Sequence, residues 1–416
     1  MGGSDLLADL DAFLAGHEAE LIEFRRDLHA HPELAFNEHR TTRRVALRLA
    51  AAGLRPSILP KGTGVIVDVG SEQVPNAERP VVALRADMDA LPMHDVKDVP
   101  YRSTVDGICH ACGHDVHTTV LVGTGLFLAA QAEAGLLPGR VRLIFQPAEE
   151  AAGGALDVLA AGGINSVGRI FALHCDPRLD AGQLGVRSGA ITAACDKVEI
   201  RLTGPGGHTA RPHLTADLVY ALGKILTEVP AAVSRRVDPR ASLSLVWGRV
   251  SSGTVANVIP DEGIIEGTVR CLDDEAWHSA PDLLKELIDS VASAYGVRAE
   301  LSYQRYVPPT VNDQASAAMI SAAALDVLGA GSAVQTPQSR GGEDFAWYLE
   351  SVPGALARLG TRVPGSTVSQ DLHQATFDVD EGAIAVGIRV MAATAITALW
   401  DDGPMVSQQL PGVATA

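Results

Sequence analysis

What most restricts the fold of this chain is an alternation of short apolar runs with helical stretches, in which several runs end on ionisable side chains. TGVIVDVG and PVVALRADMD read as strands, HTTVLVGTGLFLAAQAEAG as a buried helix, GRVRLIFQPAEE as a strand, ALDVLAAGG as a helix and GRIFALHCDP as a strand. Alternation of this kind predicts a mainly parallel α/β sheet. Ligands of such open sheets bind beyond the carboxyl ends of the strands. Those ends carry Asp87 and Asp89, Glu149 and Glu150, and His174, so they are expected to converge on one crevice. A further cluster, His110-Ala111-Cys112-Gly113-His114-Asp115-Val116-His117, precedes the buried helix. Together these positions offer thiolate, imidazole and carboxylate donors of the sort accepted by Zn²⁺, Co²⁺, Ni²⁺ or Mn²⁺.

On the amino-terminal side, Leu6 to Ala52 suggests two helices, with Pro32 breaking the first and Asn37 or Thr41 capping the second. Near Ile191 the texture changes to KVEIRLTG, a helix from Thr215 to Val229, SLSLVWGRVSSG, GIIEGTVRCL, a helix from Asp282 to Tyr295, and RAELSYQRY. Strand, helix, two strands, helix, strand is the split βαβ order of a ferredoxin-like α+β domain. The expected organisation is a catalytic domain over residues 1–187, the inserted domain over 188–303, the resumed catalytic domain over 304–400, and a disordered tail over 401–416.

Charge and motif content remove whole classes of function. With 33 Lys plus Arg against 50 Asp plus Glu the formal net charge is -17, which repels phosphate backbones and anionic membranes. Neither nucleic acid nor membrane is expected as a partner. The apolar stretch from Ala383 to Trp400 carries Arg389 and many alanines and reads as a buried helix. The acidic amino terminus has no basic region leading into an apolar one, so a cytoplasmic protein is expected. Five cysteines, an odd and sparse set, make no disulfide framework. Phosphate-loop, dinucleotide-binding and nucleophile-elbow motifs are all missing. A Cys112 nucleophile with a His base is opposed by the acidic residues around it, which raise a thiol's pKa, and metal coordination explains a thiolate there more simply. In extended backbone Glu149 and Glu150 point to opposite sides, so that one ligates a metal while the other faces a metal-bound water and takes its proton. Which does which is open at this point.

The segments RRDLHAHPELAFNEHRT, LRADMDALP, HACGHDVHT, IFQPAEE, GPGGHTARPH, NVIPDEGIIEGTVR, GGEDFAWY and LHQATFD occur in the order found in the amidohydrolase branch of the aminoacylase and carboxypeptidase family of dinuclear metallopeptidases. The chain resembles that branch from about residue 20 to residue 400, hippurate hydrolases and auxin-conjugate hydrolases among its members. The resemblance implies two divalent ions per subunit held by Cys112, His114, Glu150, His174 and His373, with Glu149 as general base and Asp89 orienting a ligand. Asp87 stands where related branches have a ligating His, and its role stays open. His208 resembles a histidine that reaches across a homodimer to stabilise the oxyanion, and Asn257 and Arg270 resemble residues that hold the substrate's carboxylate.

The activity that the resemblance implies is that of a metal-dependent amidohydrolase that cleaves the amide of N-acyl amino acids through an activated water. The alternatives are a dipeptidase or aminopeptidase on the same site, or a catalytically silent small-molecule binder. Three departures bear on substrate preference: Ile108-Cys109 where the branch has Met-His, no proline after His373, and Gly342 in place of a common Ser.

Overall fold

A computed structural model describes residues 3–70, 81–367 and 370–401. The chain forms two compact units, Met1–Gly189 with Asn312–Pro337 and Trp347–Ala416, and Ala190–Val311 with Gln338–Ala346.

The first unit is built on an eight-stranded sheet in the spatial order Ser57–Ile58, Val65–Val69, Val141–Gln146, Val81–Asp87, Val167–Asp180, Gly354–Arg362, Leu184–Val186, Ala333–Gln335. Four adjacent strands, from Val141–Gln146 to Gly354–Arg362, run parallel. Val81–Asp87 is buried along its whole length, as a strand covered on both faces must be, and this accounts for its nearly continuous apolar sequence. Pairing sets Asp87 opposite Gln146 and Arg85 opposite Ala172, so Asp87, at the carboxyl end of its strand, stands level with His174, which lies inside Val167–Asp180 rather than at the expected strand end.

The helices His114–Glu133 and Gly382–Trp400 pack tightly in the core. A Cβ on Gly387 would meet Val120 Cγ2 at 2.7 Å, so the close approach of these helices needs the glycine. Gly382–Trp400 is long and apolar enough to cross a membrane, yet most of its residues are buried inside the unit.

The amino-terminal helices are Gly3–Ala30 and His39–Ala50. Neither Asn37 nor Thr41 caps the second. Glu38 occupies the cap position without a side-chain cap bond, and the carboxylate of Glu33 accepts the N–H groups of Arg40 (2.9 Å) and Thr41 (2.8 Å) instead. The donors of the first turn are satisfied by an acid lying before the helix.

In the second unit four antiparallel strands lie in the order Ser244–Ser252, Glu262–Arg270, Cys195–Thr203, Arg298–Val307. Two helices, Leu218–Arg236 and Asp274–Ala294, pack against them around Ile200, Ile225, Ile265 and Ile288. This is ferredoxin-like topology. Both helices run through a proline, Pro230 and Pro281, at which the sequence pattern ends one and begins the other. Asp273 starts the second helix by accepting the N–H of Ala276, and burial of Trp277 and Ala280 holds the turn that precedes Pro281.

The expected boundary at residue 303 falls inside the strand Arg298–Val307, which continues past a bulge to pair Val307 with Cys195. Gln338–Ala346 joins the same unit through Ser339 N to Ile191 O (2.8 Å) and Ala193 N to Gly341 O (3.2 Å). The tail expected over 401–416 lies outside the described residues except for Asp401.

Candidate metal centre

Three buried histidines set the geometry, and each donates its Nδ1 proton to an oxygen. His114 donates to the carbonyl of Asp89 (2.9 Å) and to its Oδ1 (3.2 Å), His117 to Asp87 Oδ1 (2.6 Å), and His174 to the carbonyl of Cys175 (2.8 Å). With Nδ1 as the donor, each ring in its neutral form carries its lone pair on Nε2. His117 uses its own, accepting the N–H of Cys175 at 2.8 Å. The other two differ. His174 Nε2 lies 3.5 Å from Cys112 Sγ, and His114 Nε2 is buried with no hydrogen-bond partner among the described residues.

Around these nitrogens the remaining donors close in. Ligand atoms of Cys112, His114 and His174 lie within 4.8 Å of one another, as do those of Cys112, Glu150 and His373, and those of His114, Glu149 and Glu150. An unpartnered buried imidazole nitrogen amid a thiol and carboxylates fits a divalent cation, because ligands to such ions commonly have their far ring N–H tied to an oxygen.

Local backbone delivers each group. Gly113, at φ 86°, turns the chain from Cys112 into the helix that begins at His114, and a Cβ there would press on Cys175 Sγ at 2.7 Å. His373 sits at φ 61° with its N–H on the carbonyl of Ala111 (2.8 Å), and its Nε2 is 3.3 Å from Glu150 Oε1.

The Glu149–Glu150 pair departs from expectation. The strand ends at Gln146, Ala148 takes a left-handed φ of 53°, and the pair lies in a turn rather than extended backbone. Its carboxylates therefore converge near His114 instead of pointing to opposite sides. Asp89 fixes the turn by accepting the N–H of Glu149 on Oδ1 (3.1 Å) and of Glu150 on Oδ2 (3.0 Å). One carboxylate thus orients both the His114 ring and the Glu pair.

Asp87 lies behind this cluster. It accepts from Arg85 Nη1 (2.6 Å) and His117, and stands 3.8 Å from His114 Nε2. Burial opposes its charge, but His114, Arg85 and His117 outweigh it and hold the carboxyl well below the usual range. Burial pushes the Cys112 thiol well above its ordinary value, with Glu150 and Glu149 adding to the rise against the pull of His114. That setting disfavours an unassisted thiolate nucleophile. Burial raises Glu150, yet the bond with His373 and the His114 charge bring it below the ordinary carboxyl value.

Several contributors carry no motif that singles them out in the sequence. Arg25, fully buried, donates to Asp115 (2.7 Å), the neighbour of His114, and to Asp378 (3.2 Å) and Glu381 (3.3 Å) beyond His373. Arg85 donates to Gln146 Oε1 (2.9 Å) as well as to Asp87. A charged residue inside an otherwise apolar strand was the available signal for Arg85, since buried charge demands a partner.

His208, Asn257 and Arg270 belong to the second unit. Gly207–His208 pairs with Val258–Ile259 in a small exposed ribbon, and Thr209 N donates to the carbonyl of Asn257 (3.4 Å), so His208 and Asn257 are neighbours. His208 Nδ1 accepts the N–H of Ala210 (3.0 Å), which places the ring proton on Nε2. Arg270 ends the strand Glu262–Arg270 and donates from Nη1 to the carbonyl of Arg340 (2.9 Å).

Residues 83–397 match the model of Peptidase family M20/M25/M40. An N-acetylcysteine deacetylase of Bacillus subtilis (strain 168) is 38% identical over 382 residues, covering 91% of this chain and 97% of the relative. A Rhodococcus jostii (strain RHA1) protein named for glutamate–cysteine ligase is 48% identical over 377 residues, covering 90% of this chain. This chain spans only 46% of that relative's length. Among solved structures, the Bacillus subtilis protein YXEP, described as a dinuclear metal binding peptidase of the M20 family, superposes with a TM-score of 0.80 at 36% identity, covering 94% of this chain and 99% of that one.

Proposed function

The chain belongs to Peptidase family M20/M25/M40 and is a hydrolase of amide bonds, and on that premise we propose that it cleaves N-acyl amino acids to a carboxylic acid and a free amino acid. The observation that carries this reading is the buried, unpartnered His114 Nε2 set among Cys112, His174, Glu149 and Glu150. The likeness to a relative named as an N-acetylcysteine deacetylase over nearly its full length supports the substrate class.

Cys112, His114, Glu150, His174 and His373 would hold two divalent ions, and a donor set of thiolate, imidazole and carboxylate suits zinc, manganese, cobalt or nickel. Such ions, when bound, acidify water and polarise a carbonyl. Glu149 is the general base: it takes the proton as the water oxygen adds to the acyl carbon, and returns it to the amine nitrogen as the C–N bond breaks. Asp89 keeps the base aimed by holding its backbone. His208, with its proton on Nε2, is a neutral donor suited to a developing oxyanion, and we assign it to the partner's site in a cytoplasmic homodimer. Asn257 and Arg270 bind the substrate carboxylate, for which a guanidinium fork is suited.

The test is metal analysis together with turnover of N-acetyl and N-benzoyl amino acids against unblocked dipeptides. Two equivalents of metal and preference for the blocked substrates are expected. Preference for dipeptides would replace this reading with a dipeptidase, and metal binding without any turnover would leave a silent binder.

A further inference from the structure

The turn that carries Glu149 and Glu150 is strained. Ala148 and Ala152, neither of them glycine, sit at φ 53° and 54° on either side of the pair. A side-chain-bearing residue holds such a conformation only where its surroundings over-determine it. Asp89 accounts for two successive N–H groups, those of Glu149 and Glu150. The N–H just before them, on the strained Ala148, is taken by Glu38 Oε1 at 2.8 Å, from a residue 110 positions earlier in the chain. Within the turn, Ala152 N donates to Glu149 O (2.8 Å) and Gly154 N to Ala148 O (3.2 Å), which closes the loop but leaves its entry to Glu38.

The Glu38 carboxyl serves this turn and its own segment, where the backbone N–H groups of Glu38 and Phe36 also act on it. It is fully buried, makes no side-chain cap bond to the helix it begins, and among the described residues leaves Oε2 without a hydrogen-bond partner. Among the described residues no cation pairs with it. A buried carboxyl without a cation is costly unless its hydrogen bonds matter. Phe36, two residues earlier and also at a positive φ of 62°, packs toward Gly153, so the whole segment 36–38 is shaped against the turn 147–154.

We propose that Glu38 is a positioning residue for the Glu149–Glu150 pair, fixing the Ala148 peptide so that both carboxylates meet at the metal centre. The inference rests on the reading of Glu149 as base and Glu150 as ligand. Glu38 touches neither substrate nor metal.

Three variants test it. Glu38→Leu keeps the volume and removes the acceptor, Glu38→Asp withdraws the acceptor by one methylene, and Glu38→Gln keeps a carbonyl oxygen in place. Loss of such an orienting partner typically lowers metal affinity or activity by about 10- to 100-fold. The Leu and Asp variants are expected to lose about that much kcat on N-acetyl amino acids with KM within about twofold. Metal-free protein titrated with Zn²⁺ in a calorimeter should bind about tenfold more weakly. Amide hydrogen exchange over residues 147–154 of the metal-free chain should be faster. Glu38→Gln should restore all three readouts. Should the Leu variant not fold, the Asp variant carries the comparison.

Wild-type exchange and Zn²⁺ affinity in a folded Leu or Asp variant overturn the proposal, and so does a Gln variant as impaired as the Leu variant. Glu149→Gln separates the premise from the inference. If that variant turns over normally while Glu38→Leu still loosens the turn, the role of Glu149 fails and the positioning stands. If Glu149→Gln is inactive and Glu38→Leu is silent, the positioning fails alone.

Discussion

Replacing Glu38 by Gln is predicted to alter how stability depends on pH. Glu38 is fully buried and gives one oxygen to the N–H of Ala148. Burial pushes its carboxyl from an ordinary 4.5 up to about 7, with the nearby Asp89 adding to the rise and backbone N–H groups opposing it. The folded carboxyl thus keeps its proton to higher pH than the unfolded one. Its contribution is fully present below 4.5 and is lost as pH rises through about 7. At about 1.4 kcal/mol per pH unit, the loss between pH 5 and pH 8 comes to about 2–3 kcal/mol. Gln offers the same acceptor without a charge, so the variant lacks this slope. Urea unfolding of the metal-free wild type and variant at both pH values measures it. The variant should gain about 2–3 kcal/mol on the wild type between pH 5 and pH 8. A gain under about 0.5 kcal/mol would mean that the buried carboxyl titrates normally, and the argument from burial would be refuted.

The metal centre itself yields three further predictions. Glu149→Gln should retain metal and fold while kcat drops by about 10²–10⁴, and loss of metal instead would exchange the roles of the two glutamates. Cys112→Ser should weaken metal binding and activity together, since a hydroxyl replaces a thiolate poorly. A covalent acyl-enzyme on Cys112 in mass spectra, with activity that survives chelation, would contradict that. His208→Ala and Glu149→Gln homodimers should each be nearly inactive, yet mixing and re-dimerising them should recover activity up to one wild-type site per heterodimer, because the two defects then fall in one site. No recovery after demonstrated subunit exchange would place His208 in its own chain's site or in its loop alone.

The strands were legible in the sequence as apolar runs, but of the three expected ends only Asp87 closes its strand: the second stops at Gln146, three residues before Glu149, and the third runs past His174 to Asp180. Helix limits were less so. Pro230 and Pro281 read as breaks, but packing of Val229 and Val233 on one side, and of Trp277 and Ala280 on the other, carries each helix through its proline. What could not be read was the partner of a buried ionisable group when it lies far along the chain. Arg25 meets Asp115 across 90 positions and Glu38 meets Ala148 across 110. Only the packed fold decides such pairings, since nothing in the local spacing of either residue points to the other.

One of the three departures from the family pattern becomes interpretable at the same level. A side chain at Gly342 would bring its Cβ to 2.8 Å from Val307 Cγ2 and 3.2 Å from Cys195 Cβ, so a Ser there would force both neighbours to move. Glycine at 342 therefore fits the close approach of Val307 and Cys195. Cys109 is buried in the core, and its backbone exchanges both hydrogen bonds with Leu91, at 3.0 and 3.1 Å. Burial pushes its thiol up to about 11. Its surroundings combine the apolar core with the charges of Lys97, Asp95 and Asp115. The glycine at 342 is thus answered by packing next to it, and neither exchange removes a donor from the cluster around His114.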